Sequence, residues 1–129
     1  MTINYTYNKS DNYILTRVTN IASVEQVENY IKSIISDAEI THPFYEIVDF
    51  TEIKSYDFGY FQSEVIIDLL IKLKNNKPYL GTCLVVSNDV SKGMSNIFRV
   101  IGEEKKIDIR IFNSLAESID YINQILSNH

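Results

Sequence analysis

The sequence predicts an α/β protein with a mixed, mostly parallel sheet of about five strands and four helices, in the order β-β-α-β-α-β-α-β-α. Three observations predict it. Apolar runs of strand length alternate with stretches whose apolar residues recur at helical spacing. The first two strand-like runs are separated only by turn residues, which makes them a hairpin. The runs in the middle of the chain are apolar at consecutive positions, as expected for strands covered on both faces.

Ile3 to Tyr7 and Tyr13 to Thr19 alternate apolar with polar residues, with the turn-rich Asn8 to Asn12 between them. This antiparallel hairpin is expected to keep one wet face. Ser23-Val-Glu-Gln26 is a capping box, in which serine caps the helix and glutamine reaches back. Val24, Val27, Ile31, Ile34 and Ile35 then carry a helix to about Asp37. Pro43 pushes His42 out of helical conformation, so Thr41 to Pro43 is a break. Phe44 to Phe50 is a buried strand, and the polar loop Thr51 to Tyr56 follows it. The longest helix is expected to begin near Asp57, with Phe58, Phe61, Val65, Ile66, Leu69, Leu70 and Leu73 as its apolar stripe. Asn75-Asn-Lys-Pro78 stops it. Tyr79 to Val86 is the next strand. Ser87-Asn-Asp89 supplies a turn and a helix cap, Val90, Met94, Ile97, Phe98 and Ile101 form the stripe, and Gly102 is read as the C-terminal cap. Ile107 to Phe112 is the last strand. Ser114-Leu-Ala-Glu117 is a second capping box, with Leu115, Ile119, Ile122 and Ile125 on one side of the final helix. No repeat or linker interrupts this order, so one domain over residues 1–129 is expected.

The net charge of −5 argues against general binding to nucleic acid or to an anionic membrane, since both require a basic face. Lys72, Lys74 and Lys77, and Lys105 with Lys106, are read as cations that complement helix ends rather than as a patch. No apolar run is long enough to span a membrane. Met1 to Tyr7 has no basic segment followed by an apolar one, so no secretory signal is expected. With Cys83 as the one cysteine, an internal disulfide is ruled out, and a reducing cytoplasm is the simplest setting.

The element order, with Ile47-Val-Asp-Phe-Thr51 in its middle strand, resembles the STAS fold of anti-sigma factor antagonists and sulfate-transporter tails. It is more closely similar to the STAS-like proteins classed with CRAL-TRIO lipid-transfer domains, often stand-alone bacterial proteins. The resemblance covers nearly the whole chain. In the antagonists that act as phosphorylation switches, an Asp-Leu-Ser-like strand end precedes an Asp-Ser-Ser-Gly-like turn, and a serine there starts the next helix. Asp49-Phe-Thr51 resembles the strand end, and Asp57-Phe-Gly59 falls where the turn belongs. Phe58 and Gly59 therefore stand where the phosphorylatable residue would be, and Ser55 and Ser63 are out of register. Asp49, Thr51 and Asp57 carry over as matching positions only. The resemblance thus implies a regulatory, protein-binding module without the usual switch.

Ligands of α/β proteins meet the sheet where strands end at their carboxyl edges, so the loop after Phe50 is the first place for a site. Thr51, Ser55, Tyr56, Asp57, Tyr60 and Phe61 are its binding candidates. Asp57 is first of all a helix cap, and Phe58 and Phe61 lie on a stripe that core packing also explains. Met94 and Phe98 are candidates for a groove between the helices starting near Asp57 and Val90, which would take a small apolar ligand or lipid. Packing on the sheet is the plainer use of that stripe. Glu46 and Asp49 point to opposite faces of one strand and do not make an acid/base pair. Cys83 sits in an apolar strand, where an inert thiol is expected. His42 and His129 are far apart and make no metal cluster, and the isolated glycines make no phosphate loop. Ser87 to Ser91 is a cap before it is an anion site. The expectation is a non-enzymatic protein-interaction module without a cofactor. A small apolar-ligand carrier is the alternative, and a homodimer is open through the edge hairpin or an exposed helix face.

Overall fold

A computed structural model of the chain describes residues 3–19, 23–53 and 59–127. Five strands form one sheet: β1 (Ile3–Asn8), β2 (Tyr13–Val18), β3 (Phe44–Asp49), β4 (Tyr79–Val85) and β5 (Ile109–Phe112). Among the described residues there are four helices, α1 (Val24–Ser36), α2 (Tyr60–Asn76) and α3 (Asp89–Glu104) between strands and α4 (Leu115–Ser127) after the last. The expected element order is therefore observed. The strands lie in the sheet in chain order, β1-β2-β3-β4-β5, with β1 antiparallel to β2 and every later pair parallel.

Each strand is placed next to the one before it, so successive right-handed crossovers put α1, α2 and α3 on the same side. One cluster joins Tyr30, Ile31 and Ile34 of α1, Ile66, Ile67, Leu70 and Leu73 of α2, and Met94, Phe98 and Ile101 of α3 to the sheet face bearing Ile14, Phe44, Val48 and Leu84. The opposite face carries Tyr45, Ile47, Cys83 and Val85, and α4 covers it through Ile122. β3 and β4 are buried on both sides, which is why they read as continuous apolar runs.

Local signals fix the helix ends. Ser23 Oγ accepts from Gln26 N–H, and Gln26 Oε1 accepts from Ser23 N–H, so the capping box forms as read. Asn88 caps α3, its Oδ1 accepting from Ser91 N–H at 2.8 Å. Ser114 Oγ accepts from Glu117 N–H at the head of α4. Lys77, just past α2, donates to the carbonyls of Asp37 and Ile40, tying the end of α2 to the α1–β3 connection.

Two boundaries depart from expectation. The structure places the start of α2 at Tyr60 with Gly59 as its N-cap, three residues after the expected start near Asp57, which lies outside the described residues. Gln62 Oε1 accepts from Gly59 N–H at 3.0 Å and satisfies that helix end. Gly102 does not end α3, which continues to Glu104. Its missing side chain makes room for β5: a Cβ there would lie 2.7 Å from Ile109 Cδ1.

Candidate functional site

Two neighbouring loops meet at the carboxyl edge of the sheet, one after β3 and one after β4. Asp49 Oδ1 accepts from both the N–H (2.9 Å) and the hydroxyl (2.6 Å) of Thr51, turning the chain as it leaves β3. Ser87 Oγ donates to Thr51 O at 3.0 Å, and Asn88 Nδ2 donates to Ile53 O at 3.2 Å. Ile53 is buried and pins the first loop to the core. Thr51 therefore has a structural job, as a link between the loops. The N–H groups of Ser87 and Asn88 are both directed at Ser91 Oγ, so the start of α3 is occupied by its own side chains rather than prepared for an anion.

Ser55, Tyr56 and Asp57, together with Phe58, lie outside the described residues. The next residues that bear on the site open α2. Tyr60 is 54% exposed and Phe61 71%, larger fractions than those of Leu80 and Val100, the other exposed large apolar side chains among the described residues. Phe61 is thus a surface residue and not part of the core stripe. Tyr60 OH donates to Glu104 Oε2 at 3.3 Å, and Lys105 Nζ donates to Asp68 Oδ1 at 2.7 Å, so the first half of α2 is tied to the end of α3. The Glu104 carboxylate holds the Tyr60 phenol above its ordinary pKa.

Met94 and Phe98 are both buried, and they help line a cavity of about 80 Å³ between the helices and the sheet. Ile66, Ile67 and Leu70 of α2 and Val48 and Leu84 of the sheet complete its apolar wall.

At the sheet side of this cavity lies a polar cluster that the sequence reading missed. Glu46 is 2% exposed. Its Oε2 accepts from Tyr30 OH at 2.6 Å and its Oε1 from Thr82 Oγ1 at 2.6 Å. Thr16 Oγ1 lies 2.5 Å from Tyr30 OH, and Tyr79 OH lies 2.5 Å from Thr82 Oγ1. A hydroxyl has one proton, so the two inner hydroxyls spend theirs on the carboxylate and the outer ones donate inward. The result is a relay, Thr16→Tyr30→Glu46←Thr82←Tyr79, running across β2, β3 and β4 on the face that α1 to α3 cover. Burial pushes the Glu46 carboxyl above its ordinary pKa, and the hydrogen bonds from Thr82 and Tyr30 pull it partly back. Tyr30 and Tyr79 are driven well above the usual phenol value, by burial first and then by Glu46. The signal was available. Glu46 shares the strand phase of Phe44 and Val48, which places a carboxyl on a core face.

Burial raises the thiol of Cys83 to about 12, which leaves it a poor nucleophile. Among the described residues no group of His, Cys, Asp and Glu could hold a metal ion, and no helix is long and apolar enough to cross a membrane.

No protein-family model matches the sequence, and no curated protein matches it. Solved structures do. An uncharacterised protein of the DUF3478 family with a SpoIIAA-like fold, from Shewanella loihica, superposes with a TM-score of 0.60 at 17% identity, over 93% of this chain and 91% of that one. The chain has a STAS-like fold. A protein of Thermotoga maritima, provisionally described as an anti-sigma factor antagonist, matches the STAS-like domain with a TM-score of 0.59 at 13% identity, over 94% of each chain.

Proposed function

We propose that this STAS-like domain works without chemistry of its own, by binding a protein partner through the start of α2 and the adjoining end of α3. One observation carries the reading: Tyr60 and Phe61 stand exposed side by side at the start of α2, with Tyr60 hydrogen-bonded to Glu104 at the end of α3. Adjacent exposed aromatics on a rigid element are what protein interfaces use as anchors. The sheet topology supports it. Open α/β sheets hold ligands where the strand order reverses, and this order runs straight from β1 to β5. The provisional antagonist role of the Thermotoga maritima neighbour points the same way. A reducing, cytoplasmic setting fits a buried lone thiol.

The test is a pull-down from cell extract with the wild-type chain and the Tyr60→Ala/Phe61→Ala variant. Both side chains are exposed, so stability should stay within about 0.5 kcal/mol of wild type. Capture of the partner should be lost. A variant that captures the same partner equally well would remove this surface from the proposal.

The cavity between the helices and the sheet favours a second reading, a carrier of a small apolar ligand. Its volume of about 80 Å³ is the limit. Pockets for drug-sized ligands run to roughly 300–1,000 Å³. An engineered cavity of about 150 Å³ accepts benzene. The occupant is therefore smaller than a lipid chain. Native mass spectrometry of protein purified from cells is expected to show no retained lipid, and a stoichiometric lipid adduct would reverse the order of the two readings.

A further inference from the structure

β5 is the last strand in the sheet order, and only β4 flanks it among the described strands. Its hydrogen bonds fix which way its backbone points. Asp108 O accepts from Thr82 N–H at 2.8 Å, and Phe112 O accepts from Val86 N–H at 3.0 Å. Backbone groups alternate sides along a strand, so Ile109 and Ile111 turn their N–H and C=O groups away from β4, toward the open edge. Along that edge runs a groove of about 670 Å³, walled by Arg99 and Glu103 of α3, by β5 itself, and by Tyr121 of α4. Open edges are commonly guarded by charges of one sign, which repel a second copy. This edge instead alternates signs. Asp108 and Arg110 face the α4 side and pair with each other at 3.3 Å, and Arg110 also stacks over the Tyr121 ring. On the α3 wall, Arg99 and Glu103 are likewise one base and one acid, 3.9 Å apart.

We infer that this edge pairs with the β5 edge of a second copy of the chain, antiparallel, with Ile109 on the two-fold axis. Only edge-facing residues can exchange ladder hydrogen bonds, so the axis passes through Ile109, Arg110 or Ile111. With Arg110 on the axis, like charges stand opposite each other, which is unfavourable. With Ile111 on the axis, Arg110 faces Phe112 and no charge is paired. With Ile109 on the axis, Asp108 of each copy faces Arg110 of the other, and the Ile109 backbones exchange a pair of hydrogen bonds. An isologous contact must be complementary to itself, and a strand reading acid-Ile-base meets that condition in this register. α3 packs on β5 and brings Arg99 and Glu103, again one base and one acid, to the same edge. The acidic net charge of each chain is thereby met at a groove with three bases, Arg99, Lys106 and Arg110, and two acids, Glu103 and Asp108.

Sedimentation velocity on the full chain over a range of concentrations tests this, with hydrogen exchange on the same samples. The wild type should dimerise, and the Ile109 amide should become protected only at dimer concentrations. Arg110→Glu sets acid against acid in two places and should weaken the dimer roughly tenfold or more. The exchanged variant Asp108→Arg/Arg110→Asp keeps the complementarity and should restore it, which separates a charge effect from damage to the strand. A wild type that stays monomeric throughout overturns the inference. So does a dimer indifferent to Arg110→Glu, an exchanged variant that fails to recover, or a dimer in which the Ile109 amide gains no protection.

Discussion

Replacing Glu46 with alanine is expected to lower stability by about 3 kcal/mol at pH 5, a large effect for a single polar side chain. Alanine removes the acceptor for two buried hydroxyls, Tyr30 and Thr82, and enlarges an existing cavity. Thermal melting should fall by roughly 10 °C for a domain of this size. Glu46→Gln has a different signature. Its amide keeps the volume, and its NH₂ can donate to one hydroxyl if that arm of the relay turns around. The difference between wild type and Gln should therefore depend on pH. The folded pKa of Glu46 is raised, so the native state favours the protonated form. The stability this contributes is complete below the unfolded value of about 4.3 and is lost as pH rises through the higher folded value. Wild type should lose stability relative to Glu46→Gln as pH rises from 4 toward 8. Equal pH profiles for the two proteins, or a wild type that gains on Gln with rising pH, would show that the carboxyl is not held in the way the geometry implies.

Gly81→Val is expected to cost about 2–3 kcal/mol. A Cβ at Gly81 would sit 2.9 Å from the Asp108 carbonyl oxygen and 3.1 Å from Asp108 Cβ. That carbonyl accepts the Thr82 N–H and fixes β5 against β4, so it cannot retreat without breaking the ladder. Urea unfolding should show a lower midpoint with an unchanged slope. A midpoint within error of wild type would mean that β5 can shift sideways freely, and the close approach would then carry no energy.

How much of this was legible in the sequence depended on how far each decision was local. The Ser23–Gln26 box, the Asn88 turn and the Pro43 break are matters of a few adjacent residues, and all three stand. The phase of α2 was another matter. Val65, Ile66, Ile67, Leu69, Leu70 and Ile71 make the helix apolar nearly all round, so spacing alone barely distinguishes its faces. The buried face is centred on Ser63, Ile66, Ile67, Leu70 and Leu73, a small rotation from the stripe read in sequence, and that rotation moves Phe61 from core to surface. Gly102 failed for a tertiary reason. A glycine late in a helix suggests a cap, but this one accommodates Ile109 from a strand that comes later in the chain. Met94 and Phe98 were placed on the correct face of α3, yet periodicity cannot tell a groove from a filled interior. The relay around Glu46 needed the register of three strands and one helix, and no local pattern contains that.

The two faces of the sheet are completed at different moments. α1, α2 and α3 each emerge between the strands they join, so one side of the sheet is covered as fast as it is made. Tyr45, Ile47, Cys83 and Val85 on the other side depend on α4, which follows every strand in the order of synthesis. Until Leu115–Ser127 has left the ribosome, a nascent chain with all five strands paired presents a bare apolar sheet face. That interval is when a chaperone, or a neighbouring nascent chain on the same message, has most to bind.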